Sequence, residues 1–573
     1  MDERWWGWGT LDRSYPLEDR PGFWPFLRER LGLRGDERSP VVDLAQIELP
    51  APRIPPQALD GLRDLVGAEN VSISKMNRLT HALGKSYRDL VRLRRGEVEN
   101  PPDAVVWPRE EEQVADLLRL AQQWKLAVIP FGGGTSVVGG VEPTEAEGLE
   151  GTISLDLKGL NRVLAVDRVS LTATVQAGIL GPELERALND QGYTLGHFPQ
   201  SFEFSTLGGW IATRAAGHAS TKYGKIEQMV VSLRVVAPVG VIETKAAPAS
   251  ASGPDLKGLL IGSEGVYGVI TRATLRIHPL PEVRDYRGLL FRSFGDGVQA
   301  VREMMQAELF PATVRLSDAG ETRAYMAMRR VPTTRMKALK ERVGTWLLAR
   351  RGYSLEDGCL MILGLEGDRE TVAREREAAL AICRAHGGFH LGRSVGRAWH
   401  AERFELPYLR DILLDHGVMV DTLETATTWE NLESLYARVR DALWEAIEAT
   451  GVQPWVMAHL SHAYPDGASL YYTFLGRQVP GHEIEQWWAI KRAATDCIMA
   501  HGGTLSHHHG VGLDHAPWLE AEHGPEGVRA LRALKRALDP EGIMNPGKLL
   551  PVHSPSPQPS PPGERGWGEG RTR

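Results

Sequence analysis

Cysteine is scarce in this chain, with three residues (Cys359, Cys383 and Cys497) in 573 and no CxxC pair among them. That spacing excludes a disulfide framework and a clustered-cysteine zinc site, and it suits a reducing compartment. Long apolar runs are missing too. No stretch reaches the 18 or more apolar residues that a membrane-spanning helix needs. The first residues, MDERWWGWGTLDRS, contain three acids and no apolar core of a signal peptide, and the final RTR carries no lipidation signal. A cytoplasmic location is the expectation. Excess positive charge is also lacking: a net charge of −7 gives no whole-chain reason to expect a nucleic-acid partner.

The chain does have enough length for more than one core, with 42% hydrophobic and 24% charged residues, an ordinary globular composition. Residues 1–100, rich in Arg, Pro and Trp, read as an N-terminal lead-in. From PPDAVVWP (101–108) onward, Val114, Leu117, Leu118 and Ala121 fall on one helix face. LAVIP (126–130) reads as a short buried strand. Ile153, Leu155 and Leu157, then Val169, Leu171, Ala173 and Val175, alternate as two half-buried strands should. The expected layout is a mixed domain over 101–282 and a second α+β domain over 283–500. That second domain has helices near 369–386 and 429–449 and a strand near 359–364. A segment 501–550 then returns to Gly-rich loops. The tail 551–573, SPSPQPSPPGERGWGEGRTR at its end, has almost nothing to bury and is expected to be disordered.

Three segments carry chemistry. PFGGGTSVVGG (130–140) follows a strand directly, so consecutive glycines let backbone N–H groups approach a pyrophosphate, with Thr135 and Ser136 as hydroxyl donors. It is neither a Rossmann fingerprint, since Val137 stands where a glycine is required, nor a P-loop, since no Gly-Lys-Ser/Thr follows. Alone it could equally be a tight turn. PQSFEFSTLGGWIATRAAGHASTKYG (199–224) gathers small and hydroxyl residues into a surface that suits a flat polar cofactor, and GSEGVYGVIT (262–271) is a third glycine turn entering a strand.

Together these three segments, with LDPEGIMNPGKLL (538–550), resemble the FAD-binding domain and C-terminal ending of the vanillyl-alcohol-oxidase-like flavoproteins. The resemblance implies an α+β, two-domain fold: a PCMH-type FAD-binding domain and an α+β cap domain for the substrate. It implies FAD contacts from Pro130, Phe131, Gly132, Gly133, Gly134, Thr135 and Ser136, and from Gln200, Ser201, Phe202, Glu203, Phe204, Ser205 and Thr206. It extends them to Thr213, Arg214, Ala215, Ala216 and Gly217, and to Glu264, Gly265, Val266, Tyr267, Gly268, Val269 and Ile270. Members that hold the flavin covalently usually offer a histidine in the first glycine loop. Residues 131–140 contain none, so non-covalent FAD is expected.

GGTLSHHHGVG (502–512) narrows the resemblance. Hydroxyacid dehydrogenases of the family usually show Gly-Glu-His-Gly there and a His…Gly-Asp-Gly-Asn-x-His metal loop upstream. Here HLSHAYPDGASLYYTF (459–474) lacks the Asn and the second His. The three histidines and Gly467-Ala468-Ser469-Leu470-Tyr471 are instead similar to the alkyldihydroxyacetonephosphate synthases, as are RWWGWG (4–9), TVRLSD (313–318), LEGDRETV (365–372) and PYLRD (407–411). That likeness implies catalytic roles for Tyr471, His507, His508, His509 and Arg315, and a substrate-phosphate contact for Arg410. It implies lipid substrates, contact with a membrane surface, and admits a homodimer. The reaction implied is exchange of the acyl chain of acyl-dihydroxyacetone phosphate for a long-chain alcohol through a flavin N5 adduct, with Tyr471 as acid/base of lowered pKa.

Read by itself, the HHH run on a strand would put His507 and His509 on one side and His508 on the other. It could not then converge on one ion, so no metal is expected. Contiguous imidazoles on a Gly-flanked turn suit proton handling and anion contacts, but a solvated or N-terminal-cap cluster fits the residues as well. Tyr471 could equally be strand packing, with Tyr472 one register step away, and single arginines are mostly surface ion pairs. The rival function is an FAD-dependent oxidoreductase of a D-2-hydroxy acid or similar alcohol, told apart by electron flow to an acceptor. A flavin-storing or sensory protein would have no need of clustered His, Tyr and Arg.

Overall fold

The computed structural model describes residues 3–331 and 334–550. The tail expected to be disordered, 551–573, lies outside them. Among the described residues no helix is long and apolar enough to cross a membrane.

The first domain holds two main sheets and a two-stranded ribbon, Tyr193–Thr194 with His278–Pro279. In a four-stranded sheet, Ala104–Val106, Gly151–Asp156 and Leu126–Phe131 run parallel, with Val71–Ser72 antiparallel at one edge. The helix Glu111–Gln123 covers it with Val114, Leu117, Leu118 and Ala121, the face read from the sequence. The strand Gly151–Asp156 is buried along its whole length rather than half-buried, because it sits between two parallel neighbours. A five-stranded antiparallel sheet follows, ordered Val163–Asp167, Thr172–Gln176, Val269–Arg276, Val230–Ala237 and Gly240–Glu243. Here the alternation read through Val169 and Leu171 fails. Those two residues form the turn between two strands, Val169 being 95% exposed and Leu171 adopting φ 52°.

The second domain is built on a seven-stranded antiparallel sheet, ordered Phe389–Gly392, Val283–Phe291, Cys359–Gly367, Thr313–Ser317, Trp455–Ala463, Gly467–Arg477 and Val418–Thr428. Helices Phe294–Gln306, Arg369–Ala385 and Trp429–Glu448 pack against it, and Glu483–Ala500 packs on Trp429–Glu448. Period-two alternation divides each central strand. Val456, Ala458, Leu460, Leu470, Tyr472 and Phe474 enter the core with Leu432, Leu435, Val439 and Trp487, and their neighbours turn to the opposite face. That opposite face fronts the first domain.

The N-terminal hundred residues are more than a lead-in. Trp5 and Trp8 join the main core, and the helix Phe23–Leu31 packs Phe23, Leu27 and Leu31 against Trp455, Met457 and Leu475. At the other end, Asn545 donates through its amide to Gly140 O (3.1 Å) and Glu264 O (2.6 Å), pinning the C-terminal segment to two glycine loops.

Candidate functional site

A cavity of about 420 Å³ lies between the two domains. One wall is backbone. Gly132 and Gly133 pass so close to the second loop that a Cβ on Gly133 would stand 1.8 Å from Phe204 O, and one on Gly132 would stand 2.2 Å from Thr206 Oγ1. Only glycine permits this approach. The same wall carries Thr135, Ser136, Ser201, Ser205, Thr206 and Thr213, with Pro130, Phe131, Gly134, Gln200, Ala215, Ala216, Glu264, Gly265, Gly268 and Ile270. This glycine- and hydroxyl-lined cradle fits a flat, polar dinucleotide. Glu264 braces it by accepting the N–H groups of Val511 (2.6 Å) and Gly512 (2.7 Å). Burial pushes its carboxyl up to about 7 despite those two donors.

Several residues assigned to the cofactor from the sequence turn away. Phe202 stacks on Trp210 and Phe404, and Phe204 meets Tyr408 edge-on. Glu203 accepts the Tyr408 hydroxyl (3.0 Å) and pairs with Arg13 (2.7 Å). Arg214 donates to Ile261 O and Gly258 O. Gly217 packs against the Phe198 backbone, Val266 and Tyr267 lie in the core of the five-stranded sheet, and Val269 in that of the four-stranded one. Consecutive residues of a loop or strand cannot all face one ligand, and these are the ones that alternate inward.

The opposite wall is the open face of the seven-stranded sheet, and it is graded. Across the strands Trp455–Ala463, Gly467–Arg477 and Val418–Thr428, one rung pairs Trp455, Leu475 and Val420. The next pairs Met457, Thr473 and Thr422, and the third His459, Tyr471 and Glu424. Phe23, Phe26, Leu27, Ala324, Met328, Leu409 and Leu413 close over the apolar end. A chain-sized apolar arm therefore runs into a cluster of ionisable groups.

At that polar end the register question is resolved by placement: Tyr471 lines the cavity, whereas Tyr472 is fully buried beneath the helix Trp429–Glu448 with its hydroxyl near Leu435 O and Tyr436 O. The lowered pKa expected of Tyr471 is corrected. Burial raises it, outweighing the Thr422 hydroxyl and Arg410. Arg315 Nη2 pairs with Glu321 Oε1 (2.8 Å), while its Nε is buried with no hydrogen-bond partner. Arg410 pairs with Asp421 (3.0 Å) and donates to Lys85 O (3.0 Å), and still borders the cavity.

The histidine run is a turn, as its flanking glycines suggest: residues 507–509 form a bend, so the strand-like alternation of their side chains does not apply. Glu424 makes the bend: Oε2 accepts His507 N–H (2.6 Å), and Oε1 accepts His508 N–H (3.1 Å), His509 N–H (2.9 Å) and the Ser506 hydroxyl (2.7 Å). Burial would raise this carboxyl, but His508, His509, His507 and Ser506 hold it well below its ordinary value. His508 and His509 thus both line the cavity, and His507 turns to the Tyr464 hydroxyl (2.7 Å). Burial lowers His508 to about 3 and His509 to about 4, against the pull of Glu424, so both are neutral in the ordinary range. Among the described residues one metal-capable group forms, Glu424, His507 and His508, with ligand atoms within 4.8 Å. The expectation that these histidines cannot converge is therefore too strong.

Residues 102–245 match the FAD binding domain model, and residues 280–549 match the FAD linked oxidases, C-terminal domain model. Alkyldihydroxyacetonephosphate synthase of Dictyostelium discoideum is 37% identical over 546 residues, 94% of this chain and 88% of that protein. That of Trypanosoma brucei brucei is 37% identical over 521 residues, 90% of this chain and 83% of that protein. A solved alkyldihydroxyacetonephosphate synthase structure superposes with a TM-score of 0.82 at 34% identity, covering 95% of this chain and 97% of the other. The chain belongs to the alkyldihydroxyacetonephosphate synthase family. Its fold is the α+β flavoprotein fold with a PCMH-type FAD-binding domain and a second, substrate-facing domain, and FAD is its cofactor.

Membership in this family gives the cavity residues overlooked in the sequence a context. Glu321, His218, His459 and His462 line the cavity, and Glu424 stands behind it, bracing the histidine bend. The spacing Trp455, Met457, His459, Ser461 is a period-two signal that identifies one wall. Glu424 leaves no comparable trace, because it is a lone acid whose partners lie more than eighty residues away.

Proposed function

We propose that this chain exchanges the acyl chain of acyl-dihydroxyacetone phosphate for a long-chain alcohol, the first ether bond of an ether lipid. The observation that carries the reading is the graded wall, in which an apolar arm ends at Tyr471, His459 and the His508–His509 bend. The arm suits alkyl and acyl chains, and the unpaired Arg315 Nε with Arg410 suits the anionic end of a phosphate ester. Bound FAD supplies the ring against which the exchange takes place. In our reading Tyr471 moves the substrate proton, and the neutral imidazoles of His508 and His509 accept hydrogen bonds beside it. The carboxylate leaves with the electron pair of the broken C–O bond. The alcohol oxygen forms the new C–O bond, and its proton ends on the released fatty acid. No net electrons move. The test is fatty-acid release from acyl-dihydroxyacetone phosphate with and without hexadecanol, with the alkyl product measured in parallel. Release without any alkyl product would leave only a hydrolase.

One observation favours the rival oxidoreductase: Glu424, His507 and His508 could hold an ion for metal-assisted oxidation. Against it, both Glu424 oxygens already accept donors from the bend. We therefore hold that no metal is needed, and chelation followed by metal add-back decides it. FAD released by acid denaturation would support non-covalent binding.

Contact with a membrane surface is part of the proposal. The helix Arg335–Arg350 follows the cavity-lining Met328 and exposes Met336, Leu339, Val343, Trp346 and Leu347 beside the exposed Arg335, Arg342 and Arg350. An apolar stripe flanked by arginines suits the interface of an anionic bilayer.

A further inference from the structure

Glu321 is buried at the cavity wall and shared by three donors. Its Oε1 takes Arg315 Nη2 (2.8 Å) and His459 Nδ1 (3.0 Å), and its Oε2 takes the Ser317 hydroxyl. Burial would raise its pKa, but Arg315, His459 and Ser317 hold it far below the carboxylate range, so it is an ionised acceptor. An ionised acceptor at Nδ1 fixes the tautomer of His459. The proton sits on Nδ1, and Nε2 carries the lone pair. Burial and Arg315 lower His459, with Glu321 opposing, which keeps that lone pair free.

The position of His459 is as specific as its tautomer. It stands on the strand Trp455–Ala463 immediately after the two cavity-facing apolar residues Trp455 and Met457, and it too lines the cavity. Four residues of strand, about 14 Å, separate Trp455 from His459. An alkyl chain lying along Trp455, Leu475, Val420 and Met457 delivers its terminal hydroxyl to the rung of His459 and Tyr471. The two rings stack with centroids 4.9 Å apart and planes 19° apart. Stacking keeps the imidazole nitrogens out of line with the phenol, whose hydroxyl meets Thr422 instead. The site thus offers two proton-handling groups side by side that do not consume one another. Other cavity histidines are engaged differently: His462 Nδ1 bonds Ser220 Oγ (2.7 Å), and His218 Nε2 bonds Gln200 Oε1 (3.2 Å).

We propose that His459, oriented by Glu321, is the base that takes the hydroxyl proton of the incoming alcohol, leaving Tyr471 to the substrate proton. The inference rests on the exchange reaction proposed above. In this step the O–H bond of the alcohol breaks and its proton goes to His459 Nε2. The oxygen's electron pair forms the bond to the carbon from which the carboxylate has departed. His459 then returns the proton to solvent or to that carboxylate.

The experiment is a comparison of two outputs in wild type and His459→Gln, each loaded with FAD: fatty acid released in a single turnover without alcohol, and alkyl product formed with hexadecanol. Glutamine can still donate to Glu321 but cannot accept a proton. The expected result is a fall of roughly 10²-fold in the ratio of alkyl product to fatty acid released. Glu321→Gln, which keeps His459 but loosens its tautomer, should shift the ratio the same way by less. It decides the matter if His459→Gln fails to retain FAD. Equal losses in both outputs would make His459 a structural residue and overturn the proposal, as would an unchanged ratio. If wild type itself releases no fatty acid, it is the exchange reaction that fails instead.

Discussion

Tyr471 and Tyr472 are adjacent on one strand and stand in opposite environments: the Tyr471 ring lies over His459 at 4.9 Å in the cavity, and Tyr472 is sealed beneath the helix Trp429–Glu448. Tyr471→Phe removes one oxygen from the cavity and keeps the ring. FAD should remain bound with an almost unchanged spectrum, while turnover falls roughly 10²–10⁴-fold. Tyr472→Phe loses only long hydrogen bonds to Leu435 O and Tyr436 O, so its turnover should stay within a few-fold of wild type and a small stability change should be its main effect. Steady-state rates on both variants check this. A dead Tyr472→Phe beside a normal Tyr471→Phe would reverse the assignment.

Gly133→Ala tests the cofactor cradle. A Cβ 1.8 Å from Phe204 O must push the two loops apart. The purified variant should lose most of its visible flavin absorbance while remaining folded by circular dichroism. Full retention of FAD would mean that these loops do not form the binding floor.

This much of the site was legible because close backbone approach demands glycine, and glycine is visible in a sequence. Which of Tyr471 and Tyr472 faces the cavity was not, since the sequence left the register of that strand open. Less legible was the second glycine segment, where Phe202, Glu203 and Phe204 sit among cofactor-facing neighbours but point away. The apolar arm was invisible, because Phe23 and Leu27 meet Trp455 and Leu475 only after more than four hundred residues of chain have folded. The glycines flanking the histidines pointed to a turn, but its brace, Glu424, left no trace because it is a single acid more than eighty residues upstream.

Acidification should expose the buried histidines. His508 and His509 titrate near 3 and 4 in the folded chain, below the ordinary value of about 6.5. The unfolded chain therefore binds protons first. Their contribution to stability is whole above about pH 6.5 and is lost progressively as pH falls towards 4 and then 3. Melting temperature should drop between pH 7 and pH 5 by more in wild type than in His508→Gln. An identical drop in both would show that His508 is not held neutral.

Trp346 is 55% exposed on the helix Arg335–Arg350. Sedimentation with phosphatidylserine-containing vesicles should pull down wild type, and Trp346→Glu combined with Leu347→Glu should reduce the bound fraction several-fold without changing the melting temperature. Equal binding of both would place the membrane contact elsewhere.

The central claim is an exchange without net electron transfer, and it is tested most directly under anaerobic conditions. The FAD-loaded protein is mixed with acyl-dihydroxyacetone phosphate and hexadecanol, and the flavin spectrum is followed while both products are quantified. The account predicts fatty acid and alkyl-dihydroxyacetone phosphate in equal amounts over many turnovers, with no added electron acceptor and the oxidised flavin spectrum restored at the end. Permanent bleaching after one equivalent of substrate, with turnover only when an acceptor is supplied, would contradict it and identify an oxidoreductase.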